Sequence, residues 1–328
     1  MKTKAFGVLA ATILALSMTA SCIKDDRSDC FLSVRFRYAY NVKEADAFPA
    51  EVREIELYIF DAEGKFVERF QDRSSGFSED YRMRIPSLEA GSYTFVALGR
   101  NRPVDDFSKE FEFSGVDSDG AGLSDLLMHL NNKGGVCDRE IAALYDGTCE
   151  VSLKDGAQQV TVEMKKLTNK FRIIIMPYDG VGLSAEEFDI SIESNATRMD
   201  YKGDPYEDYS LKYLPYMQET LYSIAGLDGG EVSGAVVADL NTSRLMYTYK
   251  PTLVIRRIGD GGEVLRVNLS WILSLQGIAE HRSEWSNQEY LDRQDYYSLT
   301  FFLDGGLFMK SRIIINGWIL SLSDVTLG

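Results

Sequence analysis

Apolar and polar residues alternate with a period of two in segment after segment of this chain. Across residues 30–41, Leu32, Val34, Phe36, Tyr38 and Tyr40 share one face, and Ser33, Arg35 and Arg37 share the other. Ile55, Leu57 and Ile59 alternate with Glu54, Glu56 and Tyr58. Asp61-Ala62-Glu63-Gly64 then reads as a hairpin turn into residues 65–70. Tyr81, Met83 and Ile85 repeat the pattern before Pro86, as do Tyr93, Phe95 and Ala97 after Gly91, and residues 150–153 and 159–164 continue it. Strict alternation marks a half-buried strand, and short strands spaced by about ten residues predict an antiparallel sandwich or barrel.

Residues 105–132 break this rhythm. They are rich in Gly and Asp, with an apolar cluster at 123–130 that suits a helical turn, and they read as an elaborated loop. A second cycle opens after Lys165. Residues 171–176 and 188–193 read as strands. Residues 200–220, rich in Tyr and Asp and carrying Pro205 and Pro215, read as a long loop. Segments 245–249, 252–257, 264–275, 296–303 and 312–322 complete the set, with a Gly-rich hairpin turn at 259–262. No stretch holds a helical period. The pattern predicts an all-β protein of two antiparallel β-sandwich domains in tandem, residues 29–165 and 166–328, without a strong repeat between them.

Composition agrees. A length of 328 residues suits one large or two ordinary domains, and 18 Tyr and 17 Phe favour strands. The formal charge is −15, from 50 acidic and 35 basic residues. That balance opposes binding to nucleic-acid phosphates, and it opposes adhesion to an anionic membrane through a basic patch. Two histidines, His129 and His281, are too few for a multi-His metal site and too sparse to suggest a His-based triad. GxSxG, P-loop, HExxH and Rossmann signatures are all missing. Asp117-Ser118-Asp119-Gly120 opens like a calcium loop but lacks the third acidic position and the distal Glu. Fifty carboxylates form acid pairs by chance, and none stands out as a glycosidase dyad. The expectation is a protein without catalysis, cofactor or metal.

The N-terminus carries the sharpest signals. Lys2 and Lys4 precede an apolar run over residues 5–18, which ends in Thr19-Ala20-Ser21-Cys22. The run is shorter than the about 20 residues a spanning helix needs and describes a secretory signal. Ala20-Ser21-Cys22 resembles a bacterial lipobox, although Thr19 stands where Leu is commoner; an ordinary signal peptide cut nearby is the alternative. On the lipobox reading, residues 1–21 are removed, Cys22 is acylated, and residues 22–29 form an acidic tether. Lys24, Asp25 and Asp26 resemble the signal that sends Bacteroidetes lipoproteins to the cell exterior, and a plain solvated tether would also be charged. With Cys22 acylated, Cys30, Cys137 and Cys149 remain, enough for at most one bridge, and the three pairings stay open.

Four ordered blocks carry a wider resemblance. They are Cys22 to Cys30 with Val34-Arg35-Phe36-Arg37-Tyr38; Lys43 to Phe48 with Glu56-Leu57-Tyr58-Ile59-Phe60-Asp61; Asn287 to Tyr296; and Ile315-Asn316-Gly317-Trp318. Together they resemble the fimbrillin-associated anchor proteins of Bacteroidetes, minor subunits that hold type V pili to the outer membrane. The resemblance implies two transthyretin-like β-sandwich domains, a lipid on Cys22 and a location at the cell outer membrane. It also implies a fimbrial shaft subunit bound through donated β-strands, and no catalysis. Residues 311–322 and then 323–328 form a terminal apolar segment that either closes the second domain's own sheet or exchanges with a neighbour; Asn316-Gly317-Trp318 suits the domain's own core, and 325–327 is the better candidate for reaching a shaft subunit. A rival reading is a surface glycan-binding lipoprotein that stacks sugars on Tyr201, Tyr206, Tyr209, Tyr213 and Tyr216.

Overall fold

The computed structural model describes residues 31–86, 88–102, 111–114, 121–154, 156, 158–225, 231–280, 284–305 and 307–320. The alternating segments are strands. β1 (Leu32–Arg37) buries Leu32, Val34 and Phe36 and leaves the residues between them half-exposed. β2 (Glu54–Phe60), β3 (Phe66–Arg73), β4 (Met83–Ile85), β5 (Gly91–Arg100) and β6 (Phe111–Ser114) follow. Next come β7 (Leu127–Leu130), β8 (Val136–Cys137), β9 (Leu144–Leu153), β10 (Gln158–Glu163) and β11 (Lys165–Lys166). The later chain forms β12 (Thr168–Pro177), β13 (Phe188–Met199), β14 (Pro205–Tyr213), β15 (Met217–Ala225) and β16 (Glu231–Ser243). β17 (Thr252–Arg257), β18 (Glu263–Asn268), β19 (Tyr296–Asp304), β20 (Leu307–Ile315) and β21 (Trp318–Leu320) complete it.

These strands build stacked sheets, the all-β sandwich-like architecture that the alternation predicts. A five-stranded sheet, β11-β9-β5-β2-β3, faces a three-stranded one, β10-β1-β4, across a core that includes Phe36, Phe48, Leu57 and Phe95. A six-stranded sheet, β15-β16-β12-β19-β20-β21, and a seven-stranded one built on β18-β17-β13-β14-β8 enclose a second core. Most pairs are antiparallel, but β1–β10, β12–β19 and β14–β8 run parallel.

The five-stranded sheet is apolar on both faces. Ile55, Leu57 and Ile59 of β2 join the first core, while Tyr58 and Phe60 join the second with Val96 and Leu98 of β5. That explains why every residue of β2 is buried. β7 pairs with β13 and β8 with β14, so strands that come early in the chain extend the later sheet.

Several elements depart from the sequence pattern. The described part of residues 105–132 includes two paired strands, β6 and β7, and a 3-10 turn at Leu123–Asp125. Met128 and Leu130 alternate into the core there, which selects strand over helix for the apolar cluster. Residues 200–220 hold β14 and the start of β15. Pro205 takes the first position of β14, and Leu211 and Tyr213 supply its buried face. Segment 245–249 is no strand but ends in a 3-10 turn at Tyr247–Tyr249; the strand lies before it, as β16.

Segment 264–275 changes state midway. β18 stops at Asn268, whose side chain accepts from the Trp271 N–H and caps a helix over Leu269–Ala279. A second helix, Asn287–Arg293, is capped by Ser286. Among the described residues no helix is long and apolar enough to cross a membrane.

Candidate functional site

Many residues singled out by the sequence lie outside the described residues: Cys22, Lys24, Asp25, Asp26, Cys30, the Asp117–Gly120 motif and 323–328. Cys137 and Cys149 lie in different surroundings. Cys137 belongs to the second core, whereas Cys149 packs half-buried against the first, where burial pushes its thiol up to about 11.

The tyrosines of residues 200–220 are dispersed. Tyr213 is buried, its hydroxyl 2.6 Å from Ser243 Oγ, and Tyr201 packs against the second core. Tyr206 is exposed beside the Arg198 guanidinium, 5.7 Å from its ring centre, and Tyr216 is half-buried. No continuous aromatic platform forms among those four.

The sheet edges differ in their capacity to take up another strand. β3 closes the five-stranded sheet and carries exposed Glu68, Arg69, Gln71, Asp72 and Arg73, a charged edge that discourages pairing. The six-stranded sheet ends in β20 and β21, where Leu320, Ile319 and Trp318 pair antiparallel with Ile313, Ile314 and Ile315. Apolar side chains are exposed at both ends of this hairpin: Leu307 at 71%, Ile319 at 59% and Trp318 at 49%.

A joint of polar contacts ties the early and late sheets together. Arg244, just past β16, donates from Nε and Nη2 to the two carboxylate oxygens of Asp292, each at 2.7 Å. Its Nη1 reaches the Gly203 carbonyl at 2.8 Å and Asp204 at 2.7 Å. Lys166 lies between Glu51 and Asp295, and the Tyr145 hydroxyl donates to Glu51 at 2.7 Å. The Thr148 hydroxyl donates to the Tyr201 carbonyl at 2.7 Å.

Asp146 sits at this joint with 1% exposure, and its Oδ1 has no hydrogen-bond partner. Burial pushes its carboxyl up to about 8, against the pull of Lys165, its cross-strand neighbour. Burial likewise lowers the Lys165 ammonium, with Arg244 adding to the effect. Gly203 has φ +67°, and a Cβ there would sit 2.7 Å from Leu167 and 3.0 Å from Asp146 Oδ2. Glycine therefore both permits the turn and lets its backbone close over the carboxyl. Sequence reasoning missed both Asp146 and Arg244. The available signal was a charged residue after the apolar stretch Ile141-Ala142-Ala143-Leu144-Tyr145, and another at the end of a strand pattern.

The raised Asp146 carboxyl makes stability depend on pH. In the unfolded chain Asp titrates near about 3.9; in the fold it keeps its proton up to about 8. Its contribution is complete below about pH 4 and is lost as pH rises through about 8. Asp146→Asn should therefore gain on the wild type between those limits, by at most about 1.4 kcal/mol per pH unit. Urea unfolding at pH 4, 6 and 8 measures this; a difference independent of pH would contradict it.

Stacked sheets that enclose two apolar cores, tied by a polar joint, define a β-sandwich protein. The chain belongs to the family of fimbrillin-A associated anchor proteins Mfa1 and Mfa2, whose model matches residues 27–324. A candidate adhesin of Bacteroides thetaiotaomicron is 28% identical with TM-score 0.80, covering 90% of this chain and 99% of that one. A candidate polysaccharide-binding protein of the same organism is 28% identical with TM-score 0.78 and the same coverage. The fimbrial anchor protein Mfa2 of Porphyromonas gingivalis shares the fold at 19% identity and TM-score 0.66, over 89% of this chain and 98% of that one. No curated protein matches the sequence.

Proposed function

We propose that the protein is a non-catalytic outer-membrane lipoprotein that holds or caps a fimbrium at the cell surface. Acyl chains on Cys22 anchor it, and Lys24, Asp25 and Asp26 direct it outward. Two sandwich domains, 29–165 and 166–328, carry load between the membrane and the shaft subunit. The shaft subunit is bound by strand exchange, with residues 323–328 as the exchanged piece. The observation that carries this reading is the match to the fimbrial anchor family over residues 27–324, with Trp318 and Ile319 exposed on the last described strand. A donated strand pairs its backbone with a sheet edge of the partner while alternate side chains fill pockets.

Cys22→Ala should lose labelled palmitate and leave the outer-membrane fraction, because anchoring depends on the acyl chains. Retained label together with membrane fractionation would end the lipoprotein reading. Replacing Lys24, Asp25 and Asp26 with Ala should leave an acylated protein shielded from protease added to whole cells. Deleting residues 323–328 should leave a folded, displayed protein that sheds its fimbriae into the medium. Full-length fimbriae at normal number on those cells would place the contact elsewhere.

A further inference from the structure

Residues 158–177 form one extended run that joins the two cores. β10, β11 and β12 follow one another in it, and only Met164 and Leu167 lie outside a strand. The run changes sheet at each of those two residues, from the three-stranded sheet to the five-stranded and then to the six-stranded one. Val162 and Met164 belong to the first core, and Leu167, Phe171, Ile173 and Ile175 to the second.

Both crossings are held by the backbone. The Met164 N–H donates to the Arg37 carbonyl and the Leu167 N–H to the Leu144 carbonyl, each at 2.7 Å. At the first crossing β9 passes so close that a Cβ on Gly147 would sit 2.5 Å from the Glu163 carbonyl oxygen and 2.9 Å from Val162. Glycine is the residue that permits this approach.

The direction of the neighbouring strands decides how the run meets a pull. β1 lies parallel to β10, from Leu32 opposite Gln158 to Arg37 opposite Glu163. It is the middle strand of its sheet, with β4 on its other side, and Leu32, Val34 and Phe36 fix it in the first core. A pull from the N-terminal side reaches β1 at its Leu32 end. A pull from the second sandwich reaches β10 at its Glu163 end. Parallel strands drawn from opposite ends slide, so their evenly spaced pairs resist together instead of opening one after another. The far end repeats the device: β12 lies parallel to β19, from Lys170 opposite Tyr296 to Pro177 opposite Leu303.

We propose that residues 158–177 are a tension-bearing spine, lapped by β1 at one end and by β19 at the other, and that the β1–β10 overlap sets the force at which the first sandwich yields. The proposal rests on the anchor reading, which supplies a pull between the N-terminus and the second sandwich.

Single-molecule pulling of the full chain in two directions tests it. One tether is at the N-terminus in both. The other is at residue 304, exposed beyond the Leu303 end of β19, or at residue 154, exposed before β10. From residue 304 both overlaps slide. From residue 154, β1 and β10 are drawn apart at adjacent ends and peel. Rupture of the first sandwich, recognised by the chain length it releases, should need about twofold or more force from residue 304, because forced unfolding follows the barrier and sliding puts every pair into it. Thr161→Pro, in the middle of the overlap, should lower the force from residue 304 towards the peeling value. Should that variant fail to fold, the two directions in the unaltered chain decide alone. Equal forces in the two directions, or a folded Thr161→Pro chain as strong as the wild type from residue 304, overturn the proposal. The anchor reading is judged separately, by palmitate label and by fimbriae on cells, so either can fail while the other stands.

Discussion

Arg100→Met is expected to cost about 3–5 kcal/mol of stability, read from the urea midpoint at constant slope. Arg100 is only 3% exposed, and it contacts Glu54 and Glu56 at 3.0 Å each. Both glutamates are buried on the sheet face that meets the second core. Removing the guanidinium leaves two neighbouring carboxylates without their main counter-charge, and burial makes that worse than the loss of a surface pair. Tyr58 donates to Glu56 and Gln71 to Glu54, but neither brings charge. Arg73 reaches Glu54 at 2.9 Å, from a side chain half open to water, and leaves Glu56 unserved. Adding Glu54→Gln and Glu56→Gln to Arg100→Met should recover most of the loss. A single variant within about 1 kcal/mol of wild type would mean that water or Arg73 replaces the guanidinium.

The same sheet shows what was legible from sequence. Ile55, Leu57 and Ile59 alternate visibly, and the turn after Phe60 leads into β3 as the pattern requires. The polar partners on the opposite face read as solvent-facing because alternation alone assigns them outward. The second core lies against that face, and Phe113 of β6 sits under the Arg100 guanidinium, 5.7 Å from its ring centre, a contact beyond any local pattern. β16 was hidden for another reason. Its inward residues include Ala238, and Ala235 and Gly234 lie nearby, so hydrophobic contrast is weak although the strand is central. The helix over Leu269–Ala279 buries Leu269, Ile272 and Leu273 but also has apolar residues on other sides, which blurs its period. The family was legible because its blocks are local strings. The joint was not, because Arg244 and Asp292 are 48 residues apart and only the fold makes them partners.

That joint carries the second large effect. Arg244→Met should cost about 3–5 kcal/mol, because Asp292, only 7% exposed, loses a bidentate partner and keeps only the neutral Gln288 amide at 3.0 Å. The guanidinium also holds the Gly203 carbonyl and Asp204, so one side chain joins the end of β16, the turn before β14 and the helix Asn287–Arg293. Arg244→Lys should recover only part of the loss: an ammonium is a point charge and cannot match both carboxylate oxygens while reaching the turn. A double-mutant cycle with Asp292→Asn separates the pair from the turn contacts, and a coupling of about 2 kcal/mol or more is expected for neighbours in one network. Hydrogen exchange supplies the structural readout. Amides of residues 200–204 and 287–293 should lose protection together in Arg244→Met, while those of β2 and β5 keep theirs. Loss of protection spread evenly over every sheet would instead show that Arg244 supports the fold globally, with no particular hold on the joint.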